Sequence, residues 1–220
     1  MADPTPVLEF FDDPAAFLEV AGTALAADPV LGTVVAGVSE RMREERAAGA
    51  SFPGPFRPWW LVVRDPSGDV AGMAMRTAPF APYPVYLMPM PDAAATELAR
   101  ALHARGESLG GVNGARPAVD LTAAAWTRLT GAPAEIEVHT RLFELGELQM
   151  PTLPPGRLRQ AAAGDRDLVT AWFQGFMAEA DAQAGRPPTR AEHFDAETVA
   201  RRVERGTVWL WEDEAAGWCT

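Results

Sequence analysis

The 220 residues carry 19 basic against 30 acidic side chains, every basic one an arginine, for a formal net charge of -11; hydrophobic residues make up 48% and charged residues 22%, which excludes wholesale disorder and a collagen-like fibre. The length exceeds one small domain and falls short of two full ones, and the negative field disfavours phosphate backbones and anionic lipid, so no nucleic-acid and no membrane partner is expected and a cationic or neutral ligand suits the chain better. Cys219 is the single cysteine, leaving no intramolecular disulfide or cysteine-based metal site, and with no basic leader and no apolar run near the ~20 residues of a membrane span, a reducing cytoplasmic location is expected.

Asp13-Pro14 carries a helix start signal, an acid to cap and a proline where its missing N–H costs nothing, with Phe17, Leu18, Ala21 and Leu25 following at helical spacing. Asp28-Pro29 repeats the signal for a second helix with Val30, Val34, Val38 and Met42 on one face and Gly49 as its stop. The run from Trp59 to Val63 has the length and composition of a buried strand. Asp65-Pro66-Ser67-Gly68-Asp69 is turn chemistry, and Val70 resumes a second strand to Thr77, giving a β-hairpin. A third apolar run spans 84–88, Asp92 is expected to cap a helix to Arg105, and 110–114 is a short glycine-rich strand or turn. Arg116 to Leu129 reads as a helix ended by Gly131, and 136–142 alternates Ile136, Val138, Thr140 and Leu142 with polar residues, the period of a half-exposed strand. The first unit is thus expected to run α-α-β-β-β-α-β-α-β.

Pro151, Pro154 and Pro155 make 146–156 a linker, dividing the chain into 1–145 and 157–220. Beyond it come a short strand at Arg157, a helix from Asp165 with an apolar stripe of Trp172, Phe173 and Phe176, further helix from Thr189 or Asp195, a strand 207–211, a turn 212–217 and a returning strand at Trp218. Both units place a Trp-led strand before an acidic turn, Trp60 to Asp65 and Trp209 to Asp213, a weak internal repeat.

Two helices, a hairpin, then a strand feeding a helix resembles the GNAT superfamily of N-acetyltransferases, in particular actinobacterial proteins built from two tandem GNAT-like halves. The local matches are the hairpin 59–77 followed by Ala78-Pro79-Phe80, the turn Gly111-Val112-Asn113-Gly114, the helix end 126–131 and the strand 141–145. The resemblance implies an α/β (α+β) fold, a GNAT-like mixed, mostly antiparallel central sheet flanked by helices. On that pattern 1–145 is one complete, degenerate unit and 157–220 the start of a second. It also implies acetyl transfer from acetyl-CoA to an amine of a small molecule or peptide, with no metal.

In that family a Gln/Arg-x-x-Gly-x-Gly/Ala loop before a helix cradles the CoA pyrophosphate on backbone N–H groups at a positive dipole end. Here the equivalent junction is Met88-Pro89-Met90-Pro91-Asp92-Ala93, with two prolines that donate nothing and an acid that repels phosphate. Two partial matches, 46–51 and 128–133, fall at helix ends and read as C-caps. The loop of the second unit would lie beyond Thr220, so no cofactor-binding residue is assigned and the chain is expected to lack a CoA site.

Glu212 is the candidate catalytic carboxylate, since its strand lines the acceptor groove in the family; the other reading is a solvated acidic turn. Glu179 and Asp181, acids at a helix C-terminus where they oppose the dipole, are candidates for binding a cationic substrate, or are merely exposed. Trp209 and Trp211 are candidate pocket walls, or core. The only tyrosines, Tyr83 and Tyr86, lie in the first unit, and His103, His139 and His193 are scattered, so no metal site is expected. The alternative function is a non-catalytic GNAT-like binding or dimerisation module. An unpaired edge at the Trp218 strand leaves a homodimer open.

Overall fold

The computed structural model describes residues 6–50, 56–79, 82–185, 195–213 and the backbone of 217–219. The chain divides into two compact units, Met1–Gly146 and Glu147–Thr220. The expected linker 146–156 forms neither helix nor strand.

The first unit runs β1 (Val7–Phe11), α1 (Pro14–Ala27), α2 (Pro29–Ala47), β2 (Trp59–Arg64), β3 (Val70–Arg76), β4 (Val85–Leu87), α3 (Asp92–Ala104), β5 (Val112–Gly114) and α4 (Ala118–Thr130). Its sheet has the order β1-β2-β3-β4-β5, antiparallel except for the parallel step from β4 to β5. The α/β (α+β) class expected is what folds, a mixed, mostly antiparallel sheet flanked by helices, compatible with the GNAT-like architecture. The parallel step follows from α3, a crossover helix that returns the chain to the same end of the sheet.

Helices cover both faces, which is why β2 is apolar from Trp59 to Val63 instead of alternating. Trp59, Leu61 and Val63 point to α3 and α4 with Leu98 and Leu102, whereas Trp60 and Val62 point to α1 and α2 with Phe17 and Val35. Gly114 shows how tightly β5 lies on β4: its φ is +124°, and a Cβ there would sit 2.0 Å from the Leu87 carbonyl oxygen.

The start signals act as expected. The Asp13 carboxylate accepts from the Ala16 N–H at 3.3 Å, and Asp28 accepts from the Leu31 N–H at 3.0 Å. Three expectations need correction. A strand, β1, precedes the first helix; its five residues were too short to register as a pattern, and pairing with β2 defines them. The buried face of α2 is Gly32, Val35, Ser39 and Met42, not the valine row, and Val34 is exposed. Packing decides this: a Cβ on Gly32 would lie 3.0 Å from the Leu25 carbonyl oxygen, and the Ser39 hydroxyl accepts the buried Trp60 Nε1–H at 2.9 Å. Asp92 is the first residue of α3, and Pro91 occupies the cap position with no side-chain bond.

The alternating segment 136–142 is also no strand. Nothing between α4 and the next unit is helix or strand, and Ile136, Leu142 and Phe143 are exposed, Phe143 by 80%. Alternation records compatibility with a pleated surface, and a strand forms only where a partner lies alongside.

The second unit contains β6 (Arg157–Gln160), a 3-10 turn (Ala163–Asp165), α5 (Arg166–Gln183), α6 (Ala196–Glu204), β7 (Trp209–Asp213) and β8 (Gly217–Cys219), with an antiparallel sheet β6-β7-β8. Asp195 caps α6 on the Thr198 N–H at 2.7 Å, while Thr189 lies outside the described residues. Strand, two helices and a strand pair repeat the opening of the first unit, so the weak sequence repeat has a structural counterpart. Val169, Val199, Val203 and Leu210 form its small core.

Candidate functional site

The junction of β4 and α3 is filled by side chains. Met88 and Met90 are buried there, and Gly72 of β3 lies so close that a Cβ on it would come 2.3 Å from the Met90 Cβ. Pro89 and Pro91 supply no N–H, and the first turn of α3 already holds an acid, Asp92, at its positive dipole end. These residues do not fit a pyrophosphate. Of the partial matches, 46–50 and 128–133 lie where α2 and α4 end, Gly131 being the left-handed cap of α4 at φ 75°, while residue 51 lies outside the described residues.

The candidate residues of the second unit are not brought together. Glu212 stands opposite Arg157 in the sheet and accepts from its Nη2 at 2.8 Å and its Nε at 3.0 Å, with Arg159 Nε at 3.5 Å. Arg159 in turn binds Asp165 through both Nη atoms at 2.8 and 2.9 Å. That pairing, with the Ala162 N–H, pulls the Asp165 carboxyl down to about 2. Alternation along β7 puts Glu212 on the face of buried Leu210 and sends Trp209 and Trp211 to the other face. Trp209 is 53% exposed, and Trp211 donates its Nε1–H to the Pro155 carbonyl at 2.9 Å. Glu179 is exposed and Asp181 is buried, so the two acids do not share one surface. Trp172 and Phe173 pack on the core, whereas Phe176 is exposed. His103 packs edge-on against Trp126 with ring centroids 5.9 Å apart, His139 is exposed, and His193 lies outside the described residues. Among the described residues no cluster of His, Cys, Asp or Glu could hold a metal, and no helix is long and apolar enough to cross a membrane.

The first unit contains a cleft of 670 Å³ that sequence reasoning did not find. Phe10 and Asp12 from the end of β1, Phe56, Arg57 and Trp59 from the start of β2, Arg76 from the end of β3, and Arg105 and Glu107 after α3 line it. The pairings Phe11 with Trp60, Trp59 with Arg76, and Met75 with Tyr86 place these strand ends together. Because β4 runs antiparallel to β3, its junction with α3 lies at the opposite end of the sheet.

Glu107 is the centre of this cleft. Gly106, at φ 70°, ends α3 in a Schellman turn: the Gly106 N–H donates to the His103 carbonyl and the Glu107 N–H to Leu102, both at 3.0 Å. The turn delivers Glu107 to the sheet, where Oε2 accepts from Trp59 Nε1 at 2.7 Å and from Arg76 Nη1 at 2.8 Å, and Oε1 accepts from Arg105 Nε at 2.8 Å. Burial alone would raise this carboxyl, but the bonds from Arg105, Trp59 and Arg76 outweigh it and hold Glu107 below its ordinary 4.5. The Arg105 guanidinium sits 4.2 Å over the Phe10 ring. The Arg76 guanidinium lies 5.8 Å from the Tyr83 ring and 6.0 Å from Phe56, whose rings stack at 5.6 Å. Tyr83 holds a positive φ of 57°, a costly conformation for a bulky residue. Trp59 and Glu107 are 48 residues apart and Arg76 and Glu107 31; only the local signal, glycine after a helix, was present in the sequence.

No protein-family model, no curated protein and no solved structure matches the chain.

Proposed function

We propose that the first unit is a GNAT-like domain that has exchanged acetyl-CoA chemistry for non-catalytic binding of a small ligand, with the cleft around Glu107 as its site. The observation that carries this is the contrast between the two ends of one sheet. At the β4–α3 end, methionine side chains and prolines occupy the place where a CoA pyrophosphate needs free N–H groups. At the other end lies a cleft whose 670 Å³ falls in the ~300–1,000 Å³ range of small-molecule sites. Its polar groups are held in place before any ligand arrives, and that lowers the cost of binding.

Acetyl transfer to an amine is the competing reading. The pairing of Glu212 with Arg157 and Arg159 weighs against it, because it gives this carboxylate a structural part in holding β6 beside β7. Calorimetric titration of the 220-residue chain with acetyl-CoA is the test. No heat of binding is expected up to millimolar concentration. Micromolar binding, or CoA release in the presence of primary amines, would overturn the proposal.

A further inference from the structure

We infer that the cleft takes a small aromatic carboxylate, with the carboxylate on Arg105 and the ring against Phe10, Phe56 and Trp59. This rests on the cleft being the binding site of the first unit and adds the chemical class of its ligand. The sign of the charge comes from the lining. Arg57, Arg76 and Arg105 line the cleft beside Asp12 and Glu107, three positive side chains to two negative in a chain of net charge -11. Glu107 offers little to a cation, since both of its oxygens already accept, one from Arg105 and the other from Trp59 and Arg76.

The donors, by contrast, are in surplus. Among the described residues Arg105 spends only Nε, on Glu107, and its side chain is 45% exposed, so its two Nη groups present the fork that suits a carboxylate. Arg76 Nε is buried with no acceptor, a donor deficit beside the same carboxylate. Glu107 keeps the Arg105 fork in one orientation by holding Nε, and the Phe10 ring beneath it fixes the plane of the guanidinium. The aromatic part of the ligand follows from the walls, which are rings at the end of β1 and the start of β2.

The test uses the full 220-residue chain titrated with benzoate and indole-3-acetate, and in parallel with benzamide and benzylamine. Binding is followed by calorimetry and by the assigned Trp59 indole N–H resonance. Both carboxylates are expected to shift that resonance and to bind at least tenfold more tightly than the amide or amine. Arg105→Met, which keeps the stem over Phe10 and removes the fork, should weaken the carboxylates at least tenfold, and Arg105→Lys should weaken them by less. Undisturbed binding in Arg105→Met overturns the inference, as does an amide or amine that binds as well as the acid. Those results leave the cleft as a binding site and change only its ligand. A Trp59 resonance unmoved by all four compounds overturns the inference too, and the acetyl-CoA titration then decides separately whether the first unit binds CoA.

Discussion

Replacing Glu107 by Gln removes one charge and almost no volume, so its cost isolates what the carboxylate does. The side chain is 15% exposed and accepts three bonds, two of them from guanidinium groups. Gln keeps one carbonyl oxygen for Trp59 and Arg76 but turns an NH₂ toward Arg105 Nε, so one charge-assisted bond is lost and the others weaken. Hydrogen bonds to charged groups contribute ~1.5–3 kcal/mol each, which puts the loss at about 2–3 kcal/mol at pH 7 once partial exposure is allowed for. The sign of the pH dependence follows from the depressed carboxyl of Glu107. A group lowered on folding stabilises above its unfolded value of 4.5 and loses that contribution as pH falls through its lower folded value. Urea midpoints of wild type and E107Q should therefore stand well apart at pH 7 and converge as pH falls below 4.5. Equal midpoints at pH 7 would refute the network, and a gap that widened in acid would refute the sign.

Two further outcomes follow from single contacts. Ser39→Ala strands the fully buried Trp60 indole N–H, and should lower the stability of the first unit by ~1–3 kcal/mol with an unchanged denaturant slope; no shift would mean that the indole has another acceptor. Asp165→Asn keeps one oxygen for the Ala162 N–H but breaks the forked, charged pair with Arg159, and should cost about 2 kcal/mol at neutral pH, followed by hydrogen exchange in α5. Because folding lowers Asp165 from 3.8 to about 2, that difference should be complete above pH 4 and disappear between those two values.

What the sequence discloses here is the chemistry that acts within a few residues. Asp13-Pro14, Asp28-Pro29 and Asp195 open helices because a carboxylate meets an N–H two or three positions on, and Gly49, Gly131 and Gly206 close them because the chain must turn left-handed. The apolar run of β2 likewise announces a strand covered on both faces. The errors are of one kind. The α2 valines and the alternating segment 136–142 both have a correct periodicity, and in both a distant partner decides the outcome: Trp60 and Leu25 select the Ser39 face, and no strand lies beside 136–142.

The site was illegible for the same reason carried further. A net charge of -11 is an average, and it favoured a cationic ligand; but screening at physiological salt confines each charge to about 8 Å, so a ligand responds to the few groups that surround it. Around the cleft those groups come from three strand ends and a helix stop, and their pairing reverses the average. Glu107 is the residue through which this happens. Bound by three donors, it has little left to offer a cation and instead fixes two arginines whose remaining donors define what the cleft can take. An acid thus makes an anion site, a result that no count of acids and bases contains.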